Sequence, residues 1–270
     1  MFVQQGILED CAEFLYEAGF PISIVNPLQS KAFGKSKLVR EKTDKTDARR
    51  RAEFCKANNP SLGNPQPAEE RKLRGLVRTR NFFKKQKRPW LKKRDPRLEE
   101  SVKDILHIQR QNLEEVLKKL ERRTEKQIKE NPYLEEKMPR LTAIVGVGKE
   151  RSYQILANMP QVERFEKAKQ YAAFAGVTPS AFESGSSVKR KAHLSKAGVQ
   201  SVRKTLYMSA LSVKNYNKDF APFVDRLQKK RKAPKVIICA VMRKMMHIFF
   251  GMRKAQQDFK AHLAFKREIA

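Results

Sequence analysis

The spacing of apolar residues constrains the fold of this chain more than any other feature of its sequence. Residues 68–86 carry apolar side chains at helical intervals, and after a break from Pro89 to Pro96 a second helix is predicted from Val102 onward. Three leucines of this second helix are spaced seven residues apart: Leu106, Leu113 and Leu120. Because such a repeat is typical of paired helices, we predict an antiparallel helical pair or short coiled coil over residues 68–130.

The rest of the C-terminal half also has helical patterns. After boundaries at Asn131-Pro132 and at Pro139, short helices joined by turns are expected up to Ala175. Three longer helices are predicted next: Lys196–Lys214 with Ser195 as its cap, Phe220–Lys230 capped by Asp219, and Lys235–Arg253 with Pro234 in its first turn. This half should therefore be mostly α.

The N-terminal segment predicts a mixed arrangement. Gly6–Ala18 has the pattern of an amphipathic helix, and Gly19 can end it. Ile22, Ile24 and Val25 predict a strand that stops at Asn26-Pro27. Thr43 can cap a further helix, and a turn-rich linker follows from Asn58 to Pro67. The predicted fold class is mainly α, with a partial α/β unit at the N-terminus.

The excess of positive charge indicates the class of partner. The chain has 59 Lys and Arg against 29 Asp and Glu, a formal charge of +30, which is far more than solubility requires. The basic residues are spread over several predicted helices and do not lie beside one apolar anchor, which favours nucleic acid over a membrane surface. A ribosomal or chromatin-type packing protein would carry a similar charge.

The apolar and cysteine patterns predict the compartment. The longest apolar run, Val236–Met252, is interrupted by Arg243 and Lys244, and the N-terminus lacks the layout of a signal peptide. The three cysteines are far apart in sequence and form no CxxC pair, so neither a disulfide framework nor a zinc site is indicated. The sequence predicts a soluble protein of the reducing cytoplasm.

Two segments have the residues of a phosphate-binding surface. The loop of the helical pair has few acids among its cations, so a phosphate-tracking surface competes there with an ordinary solvated face. Its candidate contacts are Lys84, Lys85, Lys87, Arg88, Lys92 and Lys93. The second segment, Leu141–Lys149, resembles a helix-hairpin-helix turn that contains Gly146 and Gly148.

Such a hairpin presents backbone N–H groups at a helix N-terminus to a phosphate, and glycine permits close approach. A plain connection between two helices has the same glycine pattern. Because Lys149 adjoins the glycines and the whole chain is basic, a contact to the DNA backbone is the preferred interpretation of this segment.

Two further motifs suggest catalytic chemistry. Asp44 and Asp47 lie on one helical face, where they can share divalent cations with other acids, or else stabilise the helix dipole. Ser184 precedes Gly185 in a predicted loop, where it is either an exposed nucleophile or part of an ordinary Ser-Gly turn. Nearby cations that can offset phosphate charge are Lys189, Arg190 and Lys191.

Taken in order, these segments resemble the DEDD-type insertion-sequence transposases of the IS110 family. The resemblance extends over essentially the whole chain. The matching segments are Val25-Asn26-Pro27 with Lys31 and Phe33, Lys42 to Ala48, Gly146-Val147-Gly148, Arg164-Phe165, Tyr171 to Pro179, Glu183-Ser184-Gly185, Leu194 to Gly198, Arg203 to Tyr207, and Ala240 to Lys244.

The resemblance implies three domains: a RuvC-like (RNase H-like) DEDD transposase domain over residues 1–60, the helical spacer over 68–130, and a C-terminal serine transposase domain over 138–254. It further implies Mg²⁺ bound in part by Asp44 and Asp47, and Ser184 as the residue that attacks DNA. A structured guide RNA, an oligomeric assembly and a nucleoid-associated location in a prokaryotic cytoplasm are also implied.

The N-terminus departs from the family pattern. Val3 stands where the family has a glutamate, and Gln5-Gly6 replaces its Thr-Gly pair. By this comparison two of the four metal ligands and the opening strands are absent, so a truncated copy is expected. Three functions are in competition: a transposase, a nucleic-acid-binding remnant that does not cut, and a RuvC-type junction nuclease, which would need four acids and no serine domain.

Overall fold

The computed structural model describes residues 11–23, 25, 27–37, 43–60, 62–63, 67–92, 99–184, 188–195, 197–260 and 265, and for residues 27–28, 88–92, 181–184 and 188–192 it describes the backbone alone. The chain divides into two compact units, residues 1–67 and 68–270. The described residues are mostly helical and contain a single small sheet, which confirms the expectation of a mainly α protein.

The described part of the first unit contains three helices, of which the first ends where the sequence predicts and the second was not predicted. Residues 11–17 are helical (α1) and end at Gly19, whose φ of +82° suits glycine and whose N–H donates to Tyr16 O at 3.0 Å. α2 spans Pro27–Ser36 and α3 spans Asp44–Asn58. The rings of Phe33 on α2 and Phe54 on α3 pack edge to face, with centroids 5.5 Å apart.

The strand predicted at Ile22, Ile24 and Val25 is not present in the described residues of this unit. Residues 20–23 and 25 have no regular secondary structure, while Ile24 lies outside the described residues. Ile22 O accepts one backbone hydrogen bond, from Gly63 N at 2.8 Å, and Ser23 Oγ donates to Pro60 O at 3.0 Å. Since β-branched residues form a strand only beside a partner strand, the prediction was wrong for these described positions.

A long helical pair opens the second unit. α4 spans Ala68–Lys92 and α5 spans Glu100–Lys129. Lys87 on α4 pairs with Glu114 on α5 at 2.8 Å, and Arg80 pairs with Glu121. Residue numbers therefore rise along α4 as they fall along α5, which confirms the antiparallel pair. The predicted break at Pro89 was wrong, because α4 continues through Pro89 to Lys92.

Shorter helices follow this pair. α6 spans Pro132–Thr142 and α7 spans Lys149–Asn158. Asn131 caps α6 as a boundary residue should, with its side chain accepting from Leu134 N at 3.2 Å. Pro139 does not mark a boundary, since it lies inside α6. A 3₁₀ turn, Val162–Arg164, then leads to α8, Ala168–Phe174.

A β-hairpin that the sequence reasoning missed follows α8. β1, Pro179–Ser184, pairs antiparallel with β2, Val188–Leu194, in a register that places Glu183 opposite Lys189 and Ser184 opposite Val188. The base of the hairpin is closed by Ser195 N donating to Thr178 O at 3.0 Å. The lysine-rich β2 lacks the alternation of apolar residues that identifies a strand in sequence.

Three helices complete the unit: α9, Gln200–Tyr216; α10, Ala221–Lys229; and α11, Pro234–Ala255. α11 begins with Pro234 in its first turn, as predicted. The predicted cap at Ser195 was wrong, because α9 starts only after Gly198, which has a φ of +130° and turns the chain against Gly176. Asp219 is not a cap either, since it lies inside a 3₁₀ turn that precedes α10.

The core of the second unit also buries a group of polar side chains. Its apolar core includes fully buried Leu206, Phe220 and Phe249. Beside it, Arg253 Nη1 donates to Tyr171 Oη at 2.9 Å, and Lys137 Nζ lies 2.9 Å from the centroid of the Tyr133 ring. Burial lowers the pKa of Lys137 to about 8. Among the described helices, none is long and apolar enough to cross a membrane.

Candidate nucleic-acid interface

The turn between α6 and α7 contains both glycines of the predicted hairpin. Ile144 and Val147 are buried, whereas Val145 between them is 57% exposed. Gly146 has a φ of +104°, and a Cβ placed on it would lie 2.8 Å from Val213 N on α9. Only glycine therefore fits this position, because the backbone conformation and the close approach of α9 both exclude a side chain.

Gly148 has a different role from Gly146. It is the N-cap residue of α7, with an extended backbone (φ −77°, ψ 165°) and no side-chain capping hydrogen bond. A Cβ placed on Gly148 would meet no atom within 4 Å, and Lys149 beside it is exposed. Residues 148–150 at the start of α7 are thus open to solvent, as a helix N-terminus that accepts an anion requires.

Two side chains fix the hairpin in place. Arg151 Nη1 donates to Gly146 O at 3.0 Å and to Ser212 Oγ at 3.2 Å, so it joins the turn to α9. Asn217 Nδ2 donates to Val145 O at 3.1 Å from the end of α9. Sequence reasoning missed both residues, because neither lies in a recognisable motif and their partners are side chains and carbonyls brought close only by folding.

The first turn of α7 also carries an acid. Glu150 pairs with Arg80 Nη1 at 2.8 Å and with Lys84, both on α4. The hydrogen bonds from Arg80 and Lys84 lower the pKa of Glu150 to about 2. The carboxylate is therefore ionised and held against two cations, so its charge opposes an incoming phosphate less than a free carboxylate would.

The basic residues predicted on the helical pair have different environments. Lys84 and Lys87 form ion pairs with Glu150 and Glu114, so part of their charge joins helices together. Lys85 is exposed. Arg88 and Lys92 lie near the end of α4 where the backbone alone is described, and Lys93 lies outside the described residues. The spacer is thus more strongly cross-linked by ion pairs than its loop sequence indicates.

Asp44 and Asp47 occupy the first turn of α3 in the first unit. Thr43 caps this helix in a reciprocal capping box with Thr46, Asp44 is exposed, and Asp47 forms an ion pair with Arg50. The part of the chain that the structure describes contains no group of three or more His, Cys, Asp or Glu able to hold a metal. Because Mg²⁺ needs about six oxygen ligands, this pair does not fit a complete site by itself.

Ser184 is the last residue of β1 and not a member of an open loop. Its register partner is Val188, and the flanking pairs are Glu183 with Lys189 and Phe182 with Arg190. Lys191 lies on the same strand, β2. The hairpin is therefore basic along β2 and carries Ser184 at the C-terminal end of β1, while its base is fixed where Gly198 packs against Gly176.

Comparison with known proteins covers both units. A transposase model of the DEDD IS110 type matches residues 5–94, and a model described as "Transposase IS116/IS110/IS902 family" matches residues 138–225. The chain is also similar to the pilin gene-inverting proteins of Moraxella bovis and Moraxella lacunata. Each is 31% identical over 241 residues, which is 88% of this chain and 74% of the relative. The chain therefore belongs to the IS110 family of transposases.

Proposed function

We propose that this protein is a DNA recombinase that cuts and rejoins DNA by phosphoryl transfer at Ser184. The observation that carries the DNA-binding part is the hairpin, in which Gly148 leaves the N-terminus of α7 uncapped beside exposed Lys149. Membership of a transposase family supports DNA as the partner. The relatives named for inverting a pilin gene support strand exchange, because inversion of a DNA segment requires cutting and rejoining.

The hairpin should bind the DNA backbone without reading its sequence. Backbone N–H groups and lysine contact phosphates, which position a protein on a duplex but do not distinguish bases. Gly148→Ala tests this role, since its Cβ would meet no protein atom within 4 Å but would obstruct a phosphate. We expect unchanged stability and weaker binding to a duplex of any sequence, measured by fluorescence anisotropy. If Gly148→Ala bound DNA as tightly as the wild-type protein, the hairpin would not be part of the DNA interface.

The proposed chemistry at Ser184 is a transesterification. Its Oγ attacks a phosphodiester phosphorus, a phosphoserine ester forms, and one sugar hydroxyl leaves with the proton that the serine loses. Attack on this ester by a sugar hydroxyl of another strand restores a phosphodiester and frees the serine. A serine hydroxyl is a weak nucleophile without a base or a metal. Cations of β2, Lys189, Arg190 and Lys191, are proposed to offset the phosphate charge.

Mg²⁺ is part of the family-based proposal only under two conditions. Asp44 and Asp47 would need further oxygen ligands from outside the first turn of α3, and Asp47 would have to leave its ion pair with Arg50. A divalent metal would then supply Lewis-acid activation of the phosphodiester. No step described above is assigned to it. A structured guide RNA and an oligomeric assembly remain further parts of the proposal.

A covalent-trapping experiment tests the nucleophile. The protein is incubated with a DNA substrate, denatured, and analysed for a DNA adduct whose attachment site is mapped by mass spectrometry. We expect the adduct to map to Ser184 and to disappear in Ser184→Ala. Ser186→Ala and Ser187→Ala change the next two serines in the sequence; they are matched controls and should retain it. An adduct that maps elsewhere, or that persists in Ser184→Ala, would show that another residue attacks DNA.

A non-catalytic nucleic-acid-binding protein is the second candidate function. The ion pair of Asp47 with Arg50 and the position of Asp44 in the first turn of α3 favour it, because an acid in a first turn stabilises the helix dipole. This candidate predicts salt-dependent DNA binding by the wild-type protein without an adduct on any serine. The trapping experiment therefore separates the two functions.

A further inference from the structure

We propose that the turn between α10 and α11 is a second contact surface for the phosphate backbone of duplex DNA. This surface, called the basic turn, consists of Lys229, Lys230, Arg231, Lys232 and Lys235. It lies outside the residues to which the sequence motifs point. The inference rests on the proposed function, that the protein acts on DNA, and it extends the interface beyond the hairpin.

The basic turn presents its charge to solvent. All five cationic residues are exposed, and four of them are consecutive in sequence. Within the described part of the chain, none of them forms an ion pair with a carboxylate, in contrast to Lys84 and Lys87 on the spacer. Charges of one sign this close together repel one another, so a polyanion is the partner that this surface fits.

The backbone holds the cations in a defined arrangement. At the end of α10, Arg231 N donates to Gln228 O at 2.7 Å and Lys232 N donates to Leu227 O at 3.2 Å. These two hydrogen bonds are typical of a turn that ends a helix, in which one residue, here Arg231, has a left-handed backbone conformation. The φ of Arg231 is +50°, a conformation that glycine or asparagine adopts more easily. A long cationic side chain is therefore present where the backbone favours glycine.

The helices on either side of the turn are anchored in the core. Phe223 on α10 is buried and packs near the ring of Phe265, with centroids 6.4 Å apart. Ile237 and Val241, one and two turns into α11, are buried as well. A surface mounted on packed helices loses little conformational freedom when it binds, which favours affinity.

The basic turn and the hairpin lie at corresponding ends of two helices that pack together, α9 and α11. α9 begins beside α8, where Val199 N donates to Phe174 O at 3.1 Å, and its other end contacts the hairpin through Asn217. α11 contacts α8 through Arg253, near its C-terminus, so its N-terminal end and the basic turn are remote from α8. The hairpin and the basic turn are thus both remote from α8, as contact of one duplex with both surfaces would require.

Charge neutralisation of the turn tests this inference. Lys229, Lys230, Arg231 and Lys232 are all changed to Gln, and a control protein carries the same change at four exposed cations of α5: Lys118, Lys119, Arg122 and Arg123. Binding to a 30-base-pair duplex and to an RNA hairpin is measured between about 50 and 300 mM salt. Because each phosphate contact contributes about 0.9 to the slope of log K against log salt, we expect the turn variant to lose about 2–4 from the slope.

The control should lose less than about one unit of that slope, and the turn variant should bind duplex DNA at least about tenfold more weakly near 150 mM salt. Equal losses in both proteins would overturn the inference, since they would reflect general charge. A loss confined to the RNA hairpin would also overturn it. A wild-type protein with no salt-dependent duplex binding would instead refute the proposed function itself, so the two failures are distinguishable.

Arg231→Gly provides an independent test, because it should raise the stability of the protein while it weakens DNA binding. Glycine relieves the left-handed backbone at this position, so the melting temperature should rise by about 2–4 °C. Loss of one phosphate contact should at the same time weaken duplex binding and reduce the salt slope by about one. A variant that is stabilised and binds DNA with unchanged affinity and slope would show that Arg231 does not contact DNA.

Discussion

Glu150→Gln should weaken the fold and strengthen DNA binding, because Glu150 joins α4 to the first turn of α7, where we propose that a phosphate binds. In the native protein its carboxylate accepts from Arg80, which is 4% exposed, and from Lys84. Glutamine keeps the shape of the side chain but removes the charge. Arg80 then retains the carboxylate of Glu121 alone, and Lys84 becomes available to a phosphate.

The magnitude follows from the pKa of Glu150, which these cations lower from 4.5 to about 2. That difference corresponds to about 3 kcal/mol if none of it is screened. Since the Glu150 side chain is 48% exposed, solvent screening should reduce the loss of unfolding free energy at pH 7 to about 1–2 kcal/mol. Removing a negative charge from the first turn of α7 should raise DNA affinity about two- to fivefold.

The pH dependence gives the sign of the effect. A carboxyl group whose pKa is lower in the folded state stabilises the fold above its unfolded pKa, and this contribution is lost as the pH falls. The stability difference between wild type and Glu150→Gln should therefore be full at pH 7 and shrink between pH 4.5 and 2. Urea unfolding followed by circular dichroism measures it, with Glu115→Gln as an exposed control on α5.

Two results would refute this reasoning. If Glu150→Gln unfolded at the same urea concentration as wild type at pH 7, the ion pairs with Arg80 and Lys84 would contribute no stability. If DNA affinity fell instead of rising, Glu150 would have to support the phosphate site and not oppose it. The Glu115→Gln control removes the same charge from the chain, so a general effect of net charge would appear in both proteins.

Two further predictions concern the same unit. Gly146→Ala should lower the free energy of unfolding by about 2–4 kcal/mol, because the φ of Gly146 is +104° and the added Cβ would lie 2.8 Å from Val213 N. Gly148→Ala is the control and should leave stability unchanged. Unfolding free energies of the two variants within about 0.5 kcal/mol of each other would contradict the prediction. Lys137→Met should raise the free energy of unfolding at pH 7 by about 1–3 kcal/mol, because burial lowers the pKa of Lys137 to about 8. In the unfolded chain this lysine keeps its proton up to about pH 10, so the wild-type protein should gain stability between pH 8 and 10 while Lys137→Met does not. A destabilised Lys137→Met protein would mean that the contact of the ammonium group with the Tyr133 ring outweighs the cost of burial.

Local sequence signals identified most of the helices and the glycine hairpin. Thr43 caps α3, Gly19 ends α1 and Pro234 opens α11 because capping and helix termination depend on residues three or four positions apart. The leucine repeat predicted the antiparallel pair of α4 and α5 for a similar reason. The candidate site at Gly146–Lys149 was also visible, since the glycines and the lysine are neighbours in sequence.

Predictions failed where a segment depends on partners from distant parts of the chain. Ile22 and Val25 favour a strand by their side-chain shape, but no described strand pairs with them. β2 forms despite its lysines because β1 supplies the hydrogen-bond ladder. α9 begins after Gly198 and not at Ser195, since the chain must first turn against Gly176.

The sequence by itself determined that the chain is basic, mainly helical and equipped with a glycine hairpin beside Lys149. Tertiary structure alone decided which charges are used to join helices and which remain exposed. Lys84 and Glu150 are 66 residues apart in the sequence, yet they form an ion pair in the folded chain. The cations of the basic turn, by contrast, remain exposed. Charge is a property of each residue, but its neutralisation depends on which carboxylate the folded chain brings within a few ångströms.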